Sequence, residues 1–327
     1  MKKRFLIVTV PVTNLRERPV EASFEYIHDD LQKTQLLYNE ILLHRDESEG
    51  WYYIEALEQK KAVSQGGWQG YPGWIKKESA VFIDERPPFN AVVQHTRTTI
   101  MKDPEEKAAS LFPLSIGTRL VIEDRGDGDY YKTILADETK GWIKKGDVNS
   151  LKAMDMDDVS RLRQNIIEAG KSFLGMPYLW GGRSAYIPIV DRGIPNTEPG
   201  TGFATVTGVD CSGLVNLAYR VNHMDIPRDA HDQWIVAAKI LPEKCESADL
   251  VFVSAEGKRD KITHVMLYMG GEEFIEASET GSIVAINTFE KKFGFTLHDM
   301  AKQGFVVNKR RIYFGSILSA PYKKWMK

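Results

Sequence analysis

Short runs rich in β-branched and aromatic residues, separated by polar turns, fill the first 150 residues of the chain. Leu37–Leu43 reads LYNEILL, Gly50–Tyr53 reads GWYY and Gly73–Lys77 reads GWIKK. The order recurs downstream as SIGTRLV at Ser115–Val121, GDYY at Gly128–Tyr131 and GWIKK at Gly141–Lys145, with Asp46–Gly50 and Asp124–Gly128 as matching turns. An internal repeat of this kind predicts two small all-β barrels in tandem, over residues 1–82 and 83–152, with Trp74 and Trp142 in their cores. Tyr53 and Trp74 lie 21 positions apart against 11 for Tyr131 and Trp142. The first unit therefore carries extra residues, Trp68 and Tyr71 among them, which read as a long loop of the kind that often serves function.

After Leu151 the period changes. Asp157–Phe173 places Leu162, Ile166, Ile167 and Ala169 at helical spacing and stops at Gly175 and Pro177. A second helical pattern, CSGLVNLAYRVN, repeats apolar residues at Leu214, Val215, Ala218 and Tyr219. The strand-like runs ADLVFV and HVMLYMG follow, so residues 153–327 read as an α+β unit, and the whole chain as multidomain.

Composition narrows the function without naming it. With 327 residues, 43% hydrophobic, 27% charged and a formal net charge of -2, the chain is expected to build sizeable cores, and nucleic acid is not an expected partner. No apolar stretch approaches the ~20 residues that cross a bilayer, and membrane is not an expected partner either. The start MKKRFLIVTVPV is basic and then apolar, but Thr9 and Pro11 interrupt it and no small-residue cleavage site follows, so it is not expected to be a secretory signal. The seven histidines show neither His-x-x-x-His nor Cys-x-x-Cys spacing with the two cysteines, and no metal or cofactor is expected.

The chemistry converges on VDCSGLV at Val209–Val215. Cys211 stands where a turn passes into a helix, facing backbone amides that favour a thiolate. A buried structural cysteine is the commoner fate of such a residue. Cys245, in PEKCES, has only that bland reading or a free surface thiol. A cysteine nucleophile needs a base in reach and a third group to orient it. His264 opens the run HVMLYMG and is the candidate base; His231, in RDAHDQW, is its rival.

Taken together, PYLWGG at Pro177–Gly182, DCSGLV, ADLVFV, HVMLYMG and FIEAS, in this order, resemble the NlpC family of bacterial cysteine peptidases, whose fold is a reduced papain. The resemblance implies Cys211 as nucleophile, His264 as base and Tyr178 beside the oxyanion. The third polar position, usually histidine and sometimes asparagine or glutamine, is Glu276 here, and a carboxylate can accept the imidazole N–H. Trp180, Asp210, Ser212 and Ala230 flank these residues and are expected to line the substrate. The segment between Trp180 and Cys211 is an insertion relative to the family and is expected to overhang the cleft.

The N-terminal repeat is similar to bacterial Src-homology-three-like barrels. The complete architecture resembles γ-D-glutamyl-L-diamino-acid endopeptidases, which trim murein peptides whose N-terminal L-alanine is free. That resemblance assigns Asp229 to the substrate ammonium, with Glu40 and Tyr71 closing the pocket. With no secretory signal read at the start, a cytoplasmic enzyme of peptide recycling is expected, acting as a monomer. A secreted hydrolase of the same chemistry, had a native signal been replaced at Met1, and a non-catalytic wall-binding protein are the alternatives.

Overall fold

A computed structural model describes residues 4–21, 28–64, 66–96, 98–124, 128–153, 157–185 and 207–319. The first β-rich unit contains β1 (Phe5–Val8), β2 (Val12–Arg16), β3 (Gln32–Leu37), β4 (Ile41–Ser48), β5 (Trp51–Ala62), β6 (Trp68–Lys76) and β7 (Ala80–Ile83). They form one antiparallel sheet in the order β3-β2-β6-β5-β4-β1-β7 around a core that includes Leu6, Leu15, Leu42, Ile54 and Ile75. The second unit contains β8 (Ala91–Val93), β9 (Thr98–Met101), β10 (Ser110–Leu114), β11 (Arg119–Leu120), β12 (Ile122–Glu123), β13 (Tyr130–Ile134), β14 (Lys140–Lys144) and β15 (Val148–Ser150). Its two sheets, β10-β9-β14-β13-β12 and β11-β8-β15, enclose Val93, Ile100, Leu120 and Ile143.

The repeat is structural, with a one-residue correction to the strand alignment. Tyr52 pairs with Ile75 and Tyr131 pairs with Ile143, so Tyr52, and not Tyr53, is the counterpart of Tyr131. The closing amides agree, since Lys77 N–H donates to the Gly50 carbonyl and Lys145 N–H to that of Asp129. Lys77 and Lys145 then lie over the Tyr52 and Tyr131 rings, 5.1 and 5.2 Å from their centroids. A one-residue slip would turn each tyrosine to the other face, which is why pairing decides the register where similar letters do not.

Alternation also corrects the tryptophans. Ile75 and Ile143 take the core positions, leaving Trp74 and Trp142 half-buried on the opposite faces. Trp74 packs on the Tyr53 ring at 5.1 Å. The extra residues of the first unit are a hairpin extension and not a loop: β5 continues to Ala62, pairing Lys60 with Gly70, Lys61 with Gln69 and Ala62 with Trp68.

The third unit contains α1 (Val159–Lys171), β16 (Arg183–Ser184), β17 (Gly208–Val209), α2 (Cys211–Arg220), α3 (Ala230–Val236), β18 (Ala238–Ile240), β19 (Leu250–Ala255), β20 (Lys258–Gly270), β21 (Glu273–Glu276), β22 (Ala285–Thr288), α4 (Phe289–Phe293), α5 (Leu297–Lys302), β23 (Val306–Val307) and β24 (Arg310–Ser316). Its antiparallel sheet runs β18-β24-β19-β20-β21-β22. Leu250, Phe252, Val265 and Leu267 face α1 and α2, whereas Val251, Val253, Met266 and Tyr268 face Phe289 and Met300 of α4 and α5. Cover on both faces accounts for the nearly unbroken apolar runs in these strands.

Asp158 caps α1, accepting from Arg161 N–H at 3.0 Å, and Asp210 caps α2, accepting from Gly213 N–H at 2.7 Å. Every residue of α2 is buried, which suits its near absence of charge. β20 begins six residues before His264, which therefore lies inside a strand and not at its opening. The expected overhang between Trp180 and Cys211 falls largely on residues 186–206, outside the described residues.

Gly213 sits in the first turn of α2 where an added Cβ would collide with the Gly182 carbonyl. Backbone against backbone cannot yield as a flexible side chain does. Gly213→Ala is expected to destabilise the protein by about 1–3 kcal/mol through overpacking. A thermal unfolding midpoint equal to that of the wild type would contradict this packing.

Candidate active site

Cys211 is the first residue of α2, and Asp210, immediately before it, sets the helix start. Asp210 is held in turn by Arg228, whose Nη1 and Nη2 donate to its two carboxylate oxygens at 2.9 and 2.7 Å. Arg228 is buried; it also donates to Ser212 Oγ at 2.8 Å and, across to the first unit, to Thr34 Oγ1 at 2.7 Å. A bidentate guanidinium fixes the carboxylate in angle as well as distance. The backbone bearing the thiol is therefore anchored through a side chain.

His264, on β20, faces the thiol. Its Nε2 lies 2.8 Å from Glu276 Oε2, and Cys211 hydrogen-bonds to the ring as well, so Nδ1 is the nitrogen left for the thiol. Burial opposes charge on His264, but the Cys211 charge, its hydrogen bond and that of Glu276 outweigh it and raise the pKa to about 9. Glu276 sits on β21, next to β20, and is buried. Burial alone would raise its pKa; the hydrogen bond and charge of His264, with Lys292, bring it down to about 2. Lys292 Nζ reaches the same Oε2 at 2.6 Å, and Asn287 Nδ2 donates to Oε1 at 2.9 Å. A buried carboxylate with this many donors keeps its charge and its orientation.

The thiol opens onto a cleft of about 350 Å³, lined also by Tyr178, Trp180, Ser212, Asp229 and Ala230 from the third unit and by Lys61 and Tyr71 from the first. Tyr178 has its pKa raised by burial first and then by the charges of Asp210 and Cys211, so it keeps its proton and remains a donor. A larger hollow of about 750 Å³ lies along His264, Glu276 and Lys292 without reaching Cys211. His231, the rival base, has its Nδ1 taken by the Ile262 N–H at 3.3 Å. Among the described residues no cluster of His, Cys, Asp or Glu has the geometry to hold a metal ion.

One expected substrate contact is corrected. Glu40 does not line the cleft: it is buried, ion-paired with Arg183 and accepting from Gln59 Nε2 at 2.9 Å, and so serves the interface between units. Its place in a turn is matched by Thr118 in the second unit, since Val8 and Val93 donate equivalently to the carbonyls of Glu40 and Thr118. Asp229 does line the cleft, but it is not an open anchor. Lys61 Nζ lies 2.5 Å from its Oδ2, and the Tyr71 hydroxyl donates to both oxygens at 3.0 and 3.1 Å.

Sequence reasoning missed Lys61, Arg228, Asn287 and Lys292. Arg228 adjoins Asp229 in PRDA, and nothing local marks it as the partner of Asp210. The only signal for Lys292 was the unusual Glu276 itself, a buried anion that needs a cation. For Lys61 no local signal existed.

The NlpC/P60 family profile matches residues 175–299. Among curated proteins, the chain is 27% identical over 228 residues to a γ-D-glutamyl-L-lysine dipeptidyl-peptidase of Bacillus cereus, covering 67% of this chain and 61% of that relative. It is 26% identical over 266 residues to the Bacillus subtilis protein of the same name, covering 80% and 77%. A crystal structure of an NlpC/P60 protein from Bacillus cereus superposes with a TM-score of 0.69 at 20% identity, over 88% of this chain and 95% of that one. At that identity the likeness concerns the fold.

The pKa of His264 yields a pH prediction. His264 is raised above its ordinary 6.5, so its proton is present at neutral pH and is lost as pH rises through about 9. The rate constant kcat/KM should therefore fall on the alkaline side with an apparent pKa near 9. Glu276→Gln removes an anion that favours imidazolium and should move that limb to lower pH by about one unit or more. A pH–rate profile whose alkaline limb is the same in both proteins would rule out Glu276 as the partner that holds the charge.

Proposed function

We propose that this chain, whose residues 175–299 match the NlpC/P60 family profile, is a cysteine peptidase that hydrolyses the γ-D-glutamyl bond to a diamino acid in murein-derived peptides. The observation that carries the reading is the row Cys211, His264, Glu276, with the imidazole held between thiol and carboxylate. The names of the two Bacillus relatives supply the bond.

In this reading the Cys211 thiolate attacks the γ-carbonyl carbon, and the oxyanion is met by the Tyr178 hydroxyl and the amides that open α2. His264 then gives its proton to the departing amine, leaving a thioester on Cys211. It next takes a proton from water, whose oxygen attacks the thioester and releases the acid. Glu276 keeps the tautomer and the plane of the ring throughout, and Lys292 and Asn287 keep Glu276 in place. Trp180, 43% exposed, stands at the rim with its carbonyl held by Gln32 Nε2 at 2.8 Å.

We also read the first two units as bacterial Src-homology-three-like barrels and the third as a reduced papain fold. The equivalence of Tyr52 with Tyr131 and of Lys77 with Lys145 supports the former. A helix bearing the thiol packed against a sheet bearing the base supports the latter. The first barrel is then part of the cleft, because Tyr71 is 4% exposed and points at Asp229.

Incubation with L-Ala-γ-D-Glu-L-Lys and its diaminopimelate counterpart should release the free diamino acid, followed by mass spectrometry. Cys211→Ala should abolish release while leaving the unfolding midpoint within about 0.5 kcal/mol of stability. Iodoacetamide should alkylate Cys211 before Cys245, whose thiol pKa is pushed up by burial and by Asp249. Full activity in the alanine variant, or alkylation of Cys245 first, would remove Cys211 from the reaction.

A further inference from the structure

His264 delivers its proton to the departing amine, so the residue that departs lies on the imidazole side of the scissile bond, away from Asp229. The hollow of about 750 Å³ begins on that side, with His264 and Glu276 in its wall. Thr263 lines both this hollow and the cleft around Cys211, so the two spaces adjoin there. A volume of this size suits a small-molecule site, ~300–1,000 Å³.

Its polar groups are unevenly satisfied. Asn287 Nδ2 donates to Glu276 Oε1 at 2.9 Å, and because a carboxylate only accepts, this bond fixes which end of the amide is which. Asn287 Oδ1 is then a buried acceptor with no partner among the described residues, open to an N–H donor brought by a ligand. Charge is left over as well. Lys292 matches Glu276 at 2.6 Å, and Lys309 faces Glu256 at 3.7 Å. Lys291 on α4 and Arg310 on β24 also line the hollow, exposed and without an ion pair among the described residues, and the remaining anion is Glu279. Glu279 stands close enough to Tyr178 to act on its pKa, which puts the anion toward the cleft.

A ligand that fits this set brings a donor for Asn287 Oδ1 and an excess of negative charge for Lys291 and Arg310. Lysine as the leaving residue ends its side chain in an ammonium alone. Diaminopimelate ends in an ammonium on a carbon that also bears a carboxylate, so its ammonium suits Asn287 Oδ1 and Glu279 while its carboxylates suit the free cations.

Building on the γ-glutamyl peptidase reading above, we propose that this hollow receives the leaving residue and that Lys291 and Arg310 select a diamino acid whose side chain ends in a carboxylate as well as an amine. Both act on specificity and touch no reacting atom. Their exposure keeps the selection moderate and makes it sensitive to salt.

L-Ala-γ-D-Glu-meso-diaminopimelate and L-Ala-γ-D-Glu-L-Lys test this, each incubated with the full chain and scored by release of the free diamino acid. Wild-type enzyme should show kcat/KM at least about fivefold higher for the diaminopimelate peptide, and the ratio should shrink as salt is raised from ~50 to ~500 mM. Lys291→Gln combined with Arg310→Gln should bring the ratio below half that of wild type, whereas Lys291→Arg combined with Arg310→Lys should retain it. A wild-type ratio under about fivefold, or one indifferent to salt, overturns the inference and leaves the peptidase reading intact. So does a double glutamine variant that keeps more than half of the wild-type ratio. If that variant does not fold, Lys291→Gln alone is held to the same limit. Cleavage of neither peptide overturns the peptidase reading and this inference with it.

Discussion

One buried ion pair, Arg228 with Asp210, carries the geometry on which the rest of the site depends. Asp210 is at once the cap of α2 and the residue before the nucleophile, so its position determines where the thiol emerges. Arg228 fixes it through two hydrogen bonds and uses its remaining donors on Ser212, Thr34 and the Gly182 carbonyl. Removing one member of such a pair would leave a buried charge unmatched, at a cost of about 3–5 kcal/mol. The pair also spans units, since Thr34 belongs to β3 of the first.

That link is one of several, and together they make the N-terminal region part of the site. Arg183 N–H donates to Gln35 Oε1 at 2.9 Å and its side chain pairs with Glu40. Arg220 reaches Glu58 and Asp225, and donates to the Gly117 carbonyl of the second unit at 2.7 Å. Val12 and Leu37 of the first unit and Ile116 of the second enter the same apolar cluster as α2. With apolar burial and paired charges combined, Tyr71 and Lys61 are held against Asp229 by structure well outside the cleft.

Charge around the imidazole follows a similar logic of compensation. A glutamate at position 276 stabilises imidazolium more than a neutral partner would, and Lys292 on the same oxygen moderates it. The cation lies in α4, directly after β22, where the chain returns past β21. The anion, its cation and the base are therefore one unit, and each needs the other two to be buried without penalty.

Features set by short-range pattern were legible in the sequence. These include the tandem β-rich repeat, the helices around Leu162 and Leu214, the cysteine at a helix start and the histidine in an apolar strand-like run, whereas Glu276 was reached only through the family resemblance. Periodicity and capping act over a few residues, and the chain states them locally. The structure decided what depends on pairing between distant segments. The repeat register slipped by one residue, Trp74 and Trp142 left the core to Ile75 and Ile143, and Glu40 went to Arg183 and away from the cleft. Lys61 and Asp229 are 168 positions apart, and their contact exists because β5, β6 and α3 are packed together. Which cation meets a given carboxylate is settled by packing and desolvation over the whole fold, and no local run of letters carries that information.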